Sequence, residues 1–256
     1  MVREPAERKV TKFQQLAWAA FLFRYIVGGE DEAYLQTHER LGTDPASTIA
    51  NLSATDVREL VLANFINRWR CRVTNSPESA RAIQEAVVRV KPLLDALREA
   101  RIEAVDFRES IRARGRLLTI PEAVDEVFAV LASLGFHFGD TAASKLLHIL
   151  QPGLFVMWDG PIWYAFQSQA RQVGRRFTYS AFLEQMQGMA RDVCDDCQQL
   201  GVDGDPALHL SASLGYSPPK TLAKYVDEYN WITITRGAEL PPLWHPGLPR
   251  MSDVRS

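Results

Sequence analysis

Cysteine, net charge and long apolar runs are all scarce in this sequence. Its three cysteines, Cys71, Cys194 and Cys197, are an odd number and too few to staple 256 residues, which excludes a disulfide framework and fits a reducing compartment. No stretch approaches the roughly twenty consecutive apolar residues of a membrane span. The N-terminal sequence MVREPAERKVTK is charged where a secretory signal would turn apolar, so the expectation is a cytoplasmic protein without a membrane segment. Lys and Arg number 29 against 31 Asp and Glu, leaving no global basic field to drive indiscriminate nucleic-acid binding. Any such binding falls to local patches. The phosphate-cradling Gly-x4-Gly-Lys-Ser/Thr motif, the dinucleotide fingerprint and the His-x-Glu with Cys-x-x-Cys of zinc deaminases are missing. Cys194-Asp-Asp-Cys197 has the spacing of half a zinc site, but no second pair completes it and the two intervening acids disfavour thiolates. No metal and no cofactor are expected.

What the sequence has is helical periodicity. Phe13, Leu16, Ala17, Ala20, Phe21 and Phe23 mark a first helix over 9–27, which Gly28-Gly29 should end. Ser53 opens a second with Val57, Leu60, Val61 and Phe65 as its buried stripe, and Ser76-Pro77 opens a third to about Arg89, with a break or kink at Pro92. Further helices are expected from Pro121 to Leu134 and over 141–150, 161–167, 178–199 and 218–229. Only Trp231-Ile-Thr-Ile-Thr235 reads as a strand. The fold class is mainly α, a helical bundle with at most one or two short strands. Its helical domain occupies 1–236, open to division into two subdomains with a cleft near 135–165, and an irregular tail covers 237–256.

Leu134-Gly-Phe-His-Phe-Gly139 followed by Thr141-Ala142-Ala143 is a glycine-bounded turn opening an apolar helix, and Leu154-Phe-Val-Met-Trp-Asp159-Gly160 is an extended run delivering one carboxylate into a Gly-Pro turn. Together they resemble the hairpin and aspartate segment of the helix-hairpin-helix DNA glycosylases, over residues 134–166. The resemblance implies a glycosylase-like helical bundle with Asp159 as catalytic carboxylate. Asp140 and Thr141 stand where bifunctional members carry a nucleophilic lysine, and Lys145 lies a turn further on, so a monofunctional hydrolase is implied. Chemically, cleavage of an N-glycosidic bond builds positive charge on the sugar, and a carboxylate in a water-poor cleft stabilises it and orients the attacking water. The same aspartate before Gly160-Pro161 is also a good helix N-cap.

Around it, Trp158, Trp163 and Tyr164 are candidates for stacking on a base, with Lys145 and His137 as further substrate-binding candidates. His137 and His148 are each more simply read as packed side chains. Arginines cluster at Arg68, Arg70 and Arg72, from Arg108 to Arg116, and at Arg171, Arg175 and Arg176. Arg68, Arg70, Arg72, Arg175 and Arg176 are the candidates for gripping phosphate. Asp227-Glu228 offers either a second cleft carboxylate or a charged helix face. The leading expectation is hydrolysis of an N-glycosidic bond in DNA or in a nucleoside or nucleotide derivative. The rival is a non-catalytic helical module that binds nucleic acid or a protein.

Overall fold

The computed structural model describes residues 10–240, and these are mainly α-helical. The helices are α1 (Lys12–Leu41), α2 (Pro45–Asn51), α3 (Ala54–Val57), α4 (Pro77–Ala96), α5 (Ile120–Ala132), α6 (Asp140–Leu150), α7 (Gly160–Gln172), α8 (Tyr179–Gln199), α9 (Pro206–Leu214) and α10 (Leu222–Asn230). Two π-helical segments continue helices without a break, Arg58–Ile66 after α3 and Trp231–Thr235 after α10. Most of the expected irregular tail, from 241 onward, lies outside the described residues. No described helix is long and apolar enough to cross a membrane.

Capping chemistry explains most of the boundaries. Thr11 and Thr119 form capping boxes with Gln14 and Glu122, and Asp44, Ser53, Ser76, Asp159, Thr178, Asp205 and Thr221 each accept a backbone N–H in the first turn of a helix. Pro92 does not break α4, because it is exposed while Val90, Leu93 and Leu94 on the other face are buried, and their burial carries the helix to Ala96.

Two further expectations are overturned. Gly28-Gly29 does not end α1. Each glycine costs a helix about 1 kcal/mol, but Phe23 and Val27 before the pair and Asp31 and Tyr34 after it are all buried, and this packing outweighs the cost. Trp231–Thr235 is not a strand: its backbone continues α10, Arg236 N–H donates to the Trp231 carbonyl five residues back, and Ile232 is buried against Ala19, Phe23 and Val27. Position beside the core overrides β-branched propensity here. The strands start instead from the Arg108–Arg116 cluster, where β1 (Ser110–Ala113) pairs antiparallel with β2 (Arg116–Thr119). Arg114-Gly115, both at positive φ, make the two-residue turn, and an Arg-Gly pair between short alternating runs is the signal that marks it.

One large apolar core joins α1 through α10, with Phe65, Leu147, Phe155, Phe182 and Tyr225 among its fully buried members. α10 packs against both α1 and α8, and the π-helical segment that follows it packs against α7. That packing brings the end of the described chain to Asp159.

Candidate functional site

Asp159 caps α7 from a run, Leu154 to Trp158, that is buried throughout. Its Oδ1 accepts the Ile162 N–H at 3.0 Å, and its Oδ2 accepts the Thr235 hydroxyl at 2.7 Å. The residue is nevertheless half-buried and lines a cavity of about 410 Å³ with Trp69, Trp231, Arg68, Arg70, Arg236, Glu30 and Thr235. It is both a cap and part of a concave surface. On the other side of the Asp159-Gly160 turn a second cavity, about 540 Å³, is lined by Cys71, His137, Thr141, Trp158, Trp163 and Tyr164.

The walls are built from strained backbone. Among the described residues, five that are not glycine have positive φ, and four of them, Arg70, Arg72, Phe136 and His137, sit in two loops beside these cavities. Such conformations cost on the order of 1–3 kcal/mol each and persist only where surroundings over-determine them. Here they do. The Asn67 side chain brackets the first loop, donating to the Val73 carbonyl at 2.9 Å and accepting its N–H at 2.8 Å, while Thr74 N–H donates to the Phe136 carbonyl of the second loop at 2.9 Å. Arg68 lies against the bare backbone of α1 at Gly29, where an added Cβ would come within 2.9 Å of its Nη2.

Lys145 is 5 % exposed, and its ammonium sits 5.3 Å from the Trp69 ring centre. It has no ion pair or hydrogen bond among the described residues. The Cys71 thiol reports on the neighbourhood: burial raises its pKa, the Lys145 charge opposes the rise and the Asp159 charge adds to it. Both charges therefore act on Cys71, which lines the second cavity. Comparison with family models, with curated proteins and with solved structures finds no match to this chain. The site stands on its geometry.

The candidates named from sequence divide accordingly. Arg68 and Arg70 share a cavity with Asp159, and Trp163, Tyr164 and His137 share the adjoining one. Arg72 is exposed and lines neither. His137 is exposed, not packed, because its left-handed backbone turns it outward. Trp158 shows only an edge to its cavity, being 2 % exposed and packed on Phe128, Phe177, Tyr179 and Phe182, with its indole N–H bonded to the Asp140 carbonyl. Arg175 and Arg176 follow α7 on the surface, outside both cavities. In the hairpin cluster Arg114 and Arg116 share Glu126, and Arg108 pairs with Asp106, so acids already occupy those guanidinium groups.

Asp227 and Glu228 do not face a cleft. They belong to a buried ionic network in which Lys220 bridges Asp31 and Glu228 at 2.7 Å each, and Lys224 meets Asp227 at 2.9 Å and Glu228 at 3.3 Å. The Tyr216 hydroxyl donates to Asp31. Burial pushes the Glu228 carboxyl up from its ordinary range while Lys220 and Lys224 pull it down, and Asp227, Glu228 and Asp31 hold the Lys224 ammonium strongly protonated against its own burial. His148 is packed as expected: it donates from Nδ1 to the Phe155 carbonyl, which leaves Nε2 to accept the Tyr34 hydroxyl at 3.2 Å. Burial lowers its pKa to about 3. Burial, with Glu103 and Asp205 nearby, also raises the Cys194 thiol to about 11, and burial with the Cys194 and Asp196 charges raises Cys197 to about 12, so neither is a ready thiolate. Among the described residues no group of three His, Cys, Asp or Glu side chains is placed to hold a metal ion.

Ile26, Val27, Glu30, Trp231, Thr235 and Arg236 are the cavity residues that sequence reasoning does not assign to the site. Nothing local marks them, since they reach Asp159 from α1 and from the far end of α10.

Proposed function

We propose that the protein hydrolyses an N-glycosidic bond in DNA or in a nucleoside or nucleotide derivative, with Asp159 as the carboxylate that stabilises the developing sugar cation. The observation that carries this reading is the fixed, half-buried Asp159 carboxylate in a cavity beside two indoles. As the bond between the anomeric carbon and the base nitrogen stretches, the electron pair leaves with the base and positive charge grows on the sugar ring. A carboxylate already oriented by two donors requires no reorganisation to meet that charge, and it accepts a proton from the water that attacks the anomeric carbon. Lys145 lines neither cavity, but its ammonium lies 5.3 Å from the centre of the Trp69 ring that lines the first, and its positive charge suits a base that departs with the electron pair. Trp69 and Trp231 offer flat apolar surface for a base or sugar.

This reading agrees with the resemblance of residues 134–166 to the helix-hairpin-helix glycosylases. The turn from Leu134 to Gly139 departs from the pattern, because Phe136, His137 and Phe138 separate its glycines and Phe138 is buried in the core. Selective binding of a nucleotide unit therefore suits the site better than a broad grip on duplex backbone.

Asp159→Asn tests the proposal, because the amide keeps the cap while removing the charge. The expected variant is folded, melts near the parent and releases base from damaged DNA or modified nucleosides about a hundredfold more slowly, the equivalent of about 3 kcal/mol of barrier. Full activity in a folded Asp159→Asn protein removes Asp159 from the chemistry.

A further inference from the structure

The π-helical segment Trp231–Thr235 closes on α7 and brings Thr235, 76 positions downstream of Asp159, into a single side-chain hydrogen bond with it. Asp159 alone, as a cap, is held by one oxygen: Oδ1 takes the Ile162 N–H, and the carboxylate plane is free to rotate about that bond. The Thr235 hydroxyl takes Oδ2 at 2.7 Å, the short distance of a hydroxyl donating to a charged oxygen. Two donors from two elements fix both position and plane.

The placement of Thr235 is itself constrained. Thr233 Oγ1 donates back to the Tyr229 carbonyl at 2.7 Å, Arg236 N–H bonds to the Trp231 carbonyl, Ala238 N–H bonds to the Ile232 carbonyl, and Gly237 at φ 63° turns the chain away immediately afterwards. Ile232 anchors the segment in a small core with Ala19, Phe23 and Val27. An α-helical continuation would advance each side chain by about 100° around the axis. The wider π turn changes that phase, and insertions of this kind recur where a helix presents a functional side chain.

We infer that Thr235 is the positioning residue of the Asp159 site, donating the hydrogen bond that sets the plane of the carboxylate facing the cavity. It acts through Asp159 and does not itself touch the reacting atoms. The inference rests on the proposed role of Asp159 for its kinetic consequence, but the hydrogen bond has a readout that needs no substrate. Through the shared carboxylate, Thr235 is coupled to the Ile162 amide.

The experiment compares Thr235→Val, which keeps the branched shape and loses the donor, with Thr235→Ser, which keeps the donor, and with Thr235→Ala should the valine protein fail to fold. Kinetically, Thr235→Val lowers kcat about tenfold with KM close to the parent, the scale of one charge-assisted hydrogen bond, and Thr235→Ser restores it to within about twofold. Spectroscopically, the Ile162 amide proton shifts and loses exchange protection in Thr235→Val and returns in Thr235→Ser. Equal impairment of the valine and serine proteins, or an Ile162 amide unmoved by loss of the hydroxyl, overturns the inference. If the parent cleaves no N-glycosidic bond while the Ile162 amide still follows the hydroxyl, the positioning role stands and the proposed reaction falls.

Discussion

Two groups of charges lie near Trp69, and they are treated in opposite ways. In the network of Lys220, Lys224, Asp31, Asp227 and Glu228, both ammonium groups are fully buried and each meets a carboxylate within 3.3 Å. In the cavity at Asp159, the guanidinium groups of Arg68, Arg70 and Arg236 are exposed, have no ion pair among the described residues, and share the space with only Glu30 and Asp159. Lys224 and Lys145 both lie close to the Trp69 ring, 5.5 and 5.3 Å from its centre. Charge that is paired and dry fixes the packing of α1 against α10. Charge left unpaired at a concave surface is available to something that is not part of the chain.

The contrast breaks most visibly if the network is opened. Lys220→Met leaves Asp31 and Glu228 buried with one cation fewer, and it is expected to cost about 3–5 kcal/mol in urea denaturation. Adding Glu228→Gln should recover part of that loss, because the pair fails as a unit. A loss below about 1 kcal/mol in the single variant would show that water reaches the network.

His148 extends the buried side through Tyr34. Its folded-state pKa is depressed to about 3 from an ordinary 6.5, so below pH 6.5 the unfolded chain takes up a proton that the folded chain refuses. Stability is present above pH 6.5 and falls away as pH drops toward 3. At about pH 4.5 the parent is expected to lose about 2–3 kcal/mol more than His148→Gln, relative to about pH 7, in paired chemical denaturation curves. Parallel losses would show that His148 protonates in the folded state.

On the cavity side the smallest effect on stability is expected. Arg68→Ala with Arg70→Ala should change unfolding free energy by less than about 0.5 kcal/mol per site. The double variant should weaken binding of a short oligonucleotide and flatten its salt dependence by about one unit of slope for each phosphate no longer neutralised. Salt-independent binding by the parent would leave these arginines without a phosphate partner.

The same contrast separates what is legible in the sequence from what is not. Asp159, the turn before it and α6 between them lie within one short stretch, and local signals of capping, glycine and apolar run are enough to find them. The ionic network joins Asp31 to Lys220 across 189 positions, and nothing around either residue distinguishes it from a solvated charge. Asp227 and Glu228 stand out as an acidic pair, but a charged helix face and a buried one share a pattern. Thr235 is hidden by its own β-branched neighbours, whose strand propensity yields to continuation of α10. The mainly helical class follows from periodicity repeated along the chain, which no single misread segment could overturn.

Gly29 shows how the cavity gets its outline. A methyl group built at Gly28 meets nothing within 4 Å, whereas one built at Gly29 would press on the Arg68 guanidinium at 2.9 Å. Two identical neighbours in one continuous helix therefore differ in kind: the first is spatially idle, and the second is a notch into which a long side chain beds. Truncation, which reports by taking atoms away, has nothing to remove at such a position. It becomes visible only when an atom is added, so the width of this recess is adjustable from within the scaffold, one carbon at a time, by way of the Arg68 side chain.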